Sequence, residues 1–187
     1  TCLPSVSANI KPWEKGNPDW HIKLWDETSL ANLIQTHYPR YYGCWKNLNS
    51  VIKKCDMARY LILHHEGGIY LDCDEVPLMS LHEFFDEPNI YYQDLFWKQA
   101  QFLPTPYERY PASEHMKPVD FSKVSVILGH ENFRTDANEL AMSTCCMMSD
   151  KENDFWMQLV DYMIPFRESK VLLSFGTHRF GAYMSQR

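Results

Sequence analysis

Asp72 and Asp74 are the residues whose type and spacing could do chemistry. They stand two positions apart at the exit of a short apolar run, Ile69-Tyr70-Leu71. In an extended chain, side chains at i and i+2 share a face. Two carboxylates held that close repel each other unless a cation or a proton intervenes. Hard oxygen donors suit Mg2+ or Mn2+, ions that keep positions open for water and for the oxygens of a substrate diphosphate. The plainer reading of Asp-x-Asp is a polar loop after a strand, and three letters do not decide between the two.

The elements that must position the pair lie just before it. Ser50 or Asn49 is placed to cap a helix by accepting from otherwise unpartnered backbone N–H groups. Val51, Cys55, Ala58 and Ile62 recur at helical spacing and predict one buried face. Gly67 and Gly68 end the helix, since a left-handed corner costs a residue without Cβ little. Asp56 and Arg59 are one helical turn apart and share a face; on their own they read as a surface ion pair. His64 and His65 invite a zinc reading, but adjacent helical side chains diverge by about 100°. They also lack H-E-x-x-H spacing, so they read as helix C-terminal residues favoured by the dipole.

The whole chain sets bounds. Its 187 residues fit one domain, 1–187, with a real core, and 45% apolar and 22% charged residues are ordinary for a globular protein. A net charge of −6 leaves no basic footprint for nucleic acid. No apolar run reaches about 18 residues, so no membrane span is expected, and no signal peptide is recognisable. Cysteines at 2, 44, 55, 73, 145 and 146 lack C-x-x-C spacing. They read as reduced, with Cys55, Cys73, Cys145 and Cys146 as small hydrophobes, and a cytoplasmic or otherwise soluble setting is expected.

Along the chain, Thr1 to Lys15 reads as irregular and Trp20 to Trp25 alternates as a half-buried strand. Leu30, Leu33, Ile34 and Tyr38 mark a helix ended by Pro39. Leu81 to Phe85 is a short helix, and Asn89 to Trp97 is strand-favouring. Pro104 to Pro118, with four prolines, is a surface loop where an acceptor or a lid could sit. Val124 to Leu128 and Met142 to Met148 are strands. Glu152 to Phe166 is an amphipathic helix, and Phe180 to Arg187 a final one. Strands alternating with helices, with the acids at a strand exit, predict an α/β sheet with ligands at its carboxyl edge.

Several blocks together resemble the DxD sugar-binding region of family 32 glycosyltransferases. Asp56, Ala58, Arg59 and Tyr60 match a D-x-A-R-Y helix, and Gly67 to Asp74 match G-G-x-Y-x-D-x-D with a short apolar follow-on, Val76 to Leu81. Asn17 to Glu27 resembles the family's second strand. Met142 to Trp156 lies over I-S-N-A-x-x-x-S-x-x-x-H-P-F-W, with Thr144 for Asn and Asn153-Asp154 for His-Pro. Val171 to Gly176 echoes V-L-x-x-T-G-P, with Phe175 for Thr and Thr177 for Pro. The family's opening strand, I-P-K-I-I-H-x-x-W, has no counterpart before Thr1, so a trimmed chain is expected.

The resemblance implies a GT-A type fold, a Rossmann-like, mostly parallel sheet flanked by helices. It implies a metal-dependent hexosyltransferase that uses a nucleotide-sugar donor, UDP-glucose as the first guess, on a glycan or glycoprotein acceptor with retention. Asp74 becomes the primary Mn2+ or Mg2+ ligand, with Asp72 shared between the metal's water shell and the sugar or ribose. Asp56, Arg59, Tyr60 and Gly68 join Asp72 on the substrate side, and His178 stands as a third metal ligand. Two alternatives stay open. Leu71 to Val76 also fits the D-x-D-x-[T/V] motif of haloacid-dehalogenase-type phosphatases, with Asp72 as nucleophile and Asp74 as general acid, though without that class's downstream motifs. The other is a catalytically silent sugar-nucleotide-binding module.

Overall fold

The computed structural model describes residues 4–86, 125–131, 141–176, 180 and 183. The chain divides into two compact units, one of Thr1–Ile22 and Cys73–Val124, the other of Lys23–Asp72 and Ser125–Arg187. The expected strand at 89–97, the proline-rich loop and Thr177 and His178 fall outside the described residues.

The second unit holds most of the core. Helix α2 (Glu27–His37) starts at a capping box: the Asp26 carboxylate accepts from Ser29 N at 2.8 Å, and the Ser29 hydroxyl accepts from Asp26 N at 2.8 Å. Pro39 ends this helix as expected and also opens another, α3 (Pro39–Lys46), because its fixed φ suits a first turn. Helix α4 (Val51–Glu66) departs from expectation in two ways. Ser50 occupies the capping position, yet its side chain makes no capping bond. Nor is there one buried stripe: Val51 and Ile52 are 76% and 59% exposed, whereas every residue from Asp56 to Leu63 is buried. The second half is enclosed all round because α2, α3, the sheet and a later helix, α6, pack against it.

The corner after α4 is built as its glycines suggest. Gly67 and Gly68 have φ of +68° and +77°. A Cβ on Gly67 would stand 2.6 Å from the backbone nitrogen of Lys151, so glycine is needed for space as well as for conformation. Strand β1 (Gly68–Leu71) follows, and with β2 (Val126–Glu131) and β3 (Ala141–Ser149) it forms a sheet of order β1-β3-β2. Gly68 opposes Ser149 and Leu71 opposes Cys146. The mixed α/β class is the expected one. The described strands, however, pair antiparallel rather than parallel, since β3 lies between β1 and β2 and runs against both.

Helix α6 (Asp154–Met163) is capped by the Asn153 side chain, which accepts from Phe155 N at 3.0 Å. It buries Trp156, Leu159, Val160 and Met163, and the 3-10 turn Ile164–Phe166 and the short α7 (Val171–Ser174) follow it. The expected strand at Trp20–Trp25 is not formed; residues 21–26 have no ladder partner among the described residues, and alternation without a neighbouring strand does not make a sheet. Cys55 and Cys73 are exposed rather than packed as small hydrophobes.

In the first unit the region read as irregular is a helix, α1 (Pro4–Gly16), with Pro4 at its first position and Pro12 inside it. The short α5 (Leu81–Asp86) begins where Ser80 and Glu83 bond reciprocally. Asn17 fixes it to the end of α1, its Oδ1 accepting from Leu81 N at 2.6 Å. Among the described residues no helix is long and apolar enough to cross a membrane.

Candidate active site

Arg59 is the hub of the second unit's polar cluster. Helix α4 carries it inward, and its Nη2 meets Asp56 at 2.9 Å with the two side chains only 7% and 6% exposed. The pair is therefore buried, not the surface contact its spacing alone suggests. Nη1 donates to the Thr144 carbonyl at 2.6 Å, and Nη2 lies 3.5 Å from Asp72 Oδ1. The guanidinium sits 5.2 Å from the centre of the Tyr70 ring, and its Nε is buried with no hydrogen-bond partner. Because the Thr144 contact is to the main chain, threonine supplies it as well as asparagine would.

Asp72 is held from two sides. Its backbone N–H donates to Cys145 O at 2.9 Å, which ties the end of β1 to β3. Its Oδ1 accepts from the Tyr70 hydroxyl at 2.9 Å, as two strand residues on one face allow. Burial above all, with Asp72 adding and Arg59 opposing, raises the Tyr70 hydroxyl, so it keeps its proton and donates. The carboxylate's other oxygen carries no hydrogen bond among the described residues, and the side chain is 30% exposed. Tyr70 is a site residue that sequence reasoning left in the apolar strand; its position two before Asp72 was the available signal.

Tyr60, expected on the substrate side as core or pocket wall, is a core residue: it has no exposed surface, stacks on Trp156 at 5.9 Å and donates its hydroxyl to Phe175 O at 2.7 Å. Gly68 is exposed at the head of β1. His64 and His65 each meet an aromatic or imidazole neighbour. The Tyr38 hydroxyl and His64 Nδ1 are hydrogen-bonded at 2.7 Å, and His65 lies against His37 with ring centres 4.3 Å apart. Burial lowers both histidines, so they are neutral groups rather than the cations a helix dipole would favour.

In the first unit, Asp74 is exposed on the turn that follows Cys73. The turn is gripped by α1. Asn9 Nδ2 donates to Cys73 O at 3.0 Å, and Trp13 Nε1 donates to Glu75 O at 3.0 Å. Neither residue was expected to matter; four positions apart, they share one helix face. Among the described residues no three of His, Cys, Asp or Glu converge as a metal site. Taken separately, Asp72 of the second unit offers a carboxylate with one uncommitted oxygen, and Asp74 of the first unit an exposed carboxylate. Such hard oxygens fit a Mg2+ or Mn2+ completed by phosphate and water.

Asp56 has a measurable signature. Burial pushes its carboxyl up to about 6, with Arg59 opposing and Asp72 adding. A carboxyl raised in the folded state favours folding below its unfolded value, and that contribution is lost as pH rises through about 6. Wild type should therefore lose stability relative to Asp56→Asn between pH 4 and 7, measured as urea midpoints. Parallel pH curves for the two proteins would contradict the raised carboxyl.

Comparison with known proteins places these features. The family model for the glycosyltransferase sugar-binding region containing the DXD motif matches residues 4–97. Inositol phosphoceramide mannosyltransferase 3 of Schizosaccharomyces pombe is 38% identical over 58 residues, 31% of this chain and 16% of that protein. An uncharacterized glycosyltransferase of Acanthamoeba polyphaga mimivirus, L373, is 35% identical over 85 residues, 43% of this chain and 34% of that one. The chain thus spans about a third or less of these curated relatives' own lengths. Among solved structures, PaToxG glycosyltransferase matches with a TM-score of 0.61 over 100% of this chain and 65% of its own, at 14% identity. That likeness is one of fold, consistent with the GT-A type.

Proposed function

Since this chain belongs to the glycosyltransferase family whose sugar-binding region contains the DXD motif, we propose that it moves a hexose from a nucleoside-diphosphate sugar to an acceptor hydroxyl. Membership supports sugar transfer over the phosphatase reading of Asp72. The family 32 assignment, which the D-x-A-R-Y and G-G-x-Y-x-D-x-D blocks support, belongs to the same proposal. The observation that carries it is Asp72 itself, whose one oxygen is fixed by Tyr70 and Arg59 while the other is uncommitted, two positions in the sequence before the exposed Asp74.

In the transfer, the bond from the anomeric carbon to the diphosphate oxygen breaks and the diphosphate departs with the electron pair. The acceptor oxygen takes its place at that carbon with retained configuration, and its proton passes to the diphosphate or to solvent. Asp74 and Asp72 would hold Mn2+ or Mg2+, which supplies Lewis-acid stabilisation of the departing charge. Asp72, kept in one rotamer, orients the sugar or ribose hydroxyls. The Asp56–Arg59 pair keeps Asp72's neighbourhood charged and fixed. Mannose takes precedence over glucose as the sugar, because the similar protein of Schizosaccharomyces pombe is named an inositol phosphoceramide mannosyltransferase; a glycan or glycolipid hydroxyl is the acceptor class.

Calorimetric titration of UDP, GDP, UDP-glucose and GDP-mannose, each with Mn2+ and with EDTA, tests the reading. Binding of one nucleotide only with Mn2+, followed by turnover of its sugar, is expected. Metal-dependent binding without any turnover would make the chain a silent binding module. No binding under any condition would reject the nucleotide-sugar site.

A further inference from the structure

Asp74 stands on a turn that could rock about its own backbone, since the residue is exposed and the strand before it ends at Leu71. Two bonds from one helix stop that motion. The Asn9 amide holds the carbonyl just before Asp74, and the Trp13 indole holds the carbonyl just after its neighbour, both at 3.0 Å. The two donors are one helical turn apart on α1, so a single rigid element spaces them. Trp13 is itself anchored: its carbonyl accepts from both the backbone N–H and the side chain of Asn17, each at 3.0 Å. Asn17 in turn accepts from Leu81 N. A chain of hydrogen bonds therefore runs from α5 through Asn17 and Trp13 to the turn.

We propose that Asn9 and Trp13 are positioning residues for Asp74, a backbone pincer that fixes the direction in which its carboxylate is presented to a divalent cation. The assignment rests on the DXD reading above. Neither side chain touches a ligand. Each acts through a flanking carbonyl, as outer partners of a metal site do when they hold a ligand in its binding geometry. A carboxylate free to swing would bind the ion with one geometry among several and lose affinity accordingly.

The test is Mn2+-dependent binding of the preferred nucleotide by calorimetry, across a series of Mn2+ concentrations, with thermal melting alongside. Trp13→Phe removes the indole N–H but keeps a ring, Asn9→Ala removes the other donor, and Lys11→Ala on the same helix is the control. In each donor variant the Mn2+ concentration for half-maximal nucleotide affinity should rise by about tenfold. High Mn2+ should restore binding, and Lys11→Ala should match wild type. Wild-type Mn2+ dependence in both variants would overturn the pincer. So would loss of binding that high Mn2+ does not restore and that tracks a fall in melting temperature, which would make the contacts structural only. If wild type itself binds no nucleotide with Mn2+, the DXD reading fails instead.

Discussion

Asp74→Ala should abolish Mn2+-dependent nucleotide binding and lower transfer by about 10²-fold or more, with its melting temperature unchanged. The size follows from the task assigned to the ion: Lewis-acid stabilisation of a departing diphosphate is worth several kcal/mol, and about 1.4 kcal/mol is a factor of ten in rate. The unchanged stability follows from where the residue stands. Asp74 is exposed on a turn, and its side chain carries no hydrogen bond or ion pair among the described residues. Changes at such positions usually stay within about 0.5 kcal/mol. Nucleotide calorimetry with Mn2+ and EDTA, read beside a melting curve, separates the two effects. Near-normal turnover at low Mn2+ would remove Asp74 from the metal.

Arg59→Ala should behave in the opposite way, costing about 3–5 kcal/mol of folding free energy as well as activity. With the guanidinium gone, Asp56 is left as a buried carboxylate without its partner, the Thr144 carbonyl loses its donor and Asp72 loses its nearest cation. Burial is the deciding quantity: an exposed i,i+3 pair would be worth a fraction of a kcal/mol, but side chains 7% and 6% exposed are desolvated. Urea unfolding at pH 7 measures it. A second variant, Asp56→Asn with Arg59→Ala, should recover part of the loss because it removes the stranded charge. A single-variant cost below about 1 kcal/mol would return the pair to a solvent-screened contact.

The sequence reading places Arg59 in a surface ion pair or on the substrate side, and the difference shows what a linear pattern contains. Helix α4, its glycine corner and the strand delivering Asp72 are local features, each stated by nearby residues. The strands at 126–131 and 141–149 and the helix from 154 also lie close to their expected places. What escaped was whatever depends on a distant partner. The second half of α4 was given one buried face because periodicity cannot register neighbours that enclose a helix from every side. Trp20 to Trp25 has strand alternation but no strand beside it among the described residues. The bonds from Asn9 and Trp13 span 64 and 62 positions, and a polar residue on a helix face gives no sign of which carbonyl it will meet. Tyr70 to Asp72 is local, but the aromatic ring in an apolar run disguised the hydroxyl.

The enclosure of α4 also bears on motion. Amides in the segment from Asp56 to Leu63, covered on all sides, should exchange only with unfolding of the surrounding unit, whereas the exposed first turn around Val51 and Ile52 should fray on its own. Arg59 lies in the slow part. In the proposed transfer the guanidinium beside Asp72 would therefore be in place before a donor binds, and any opening that the substrate needs would come from segments outside this helix.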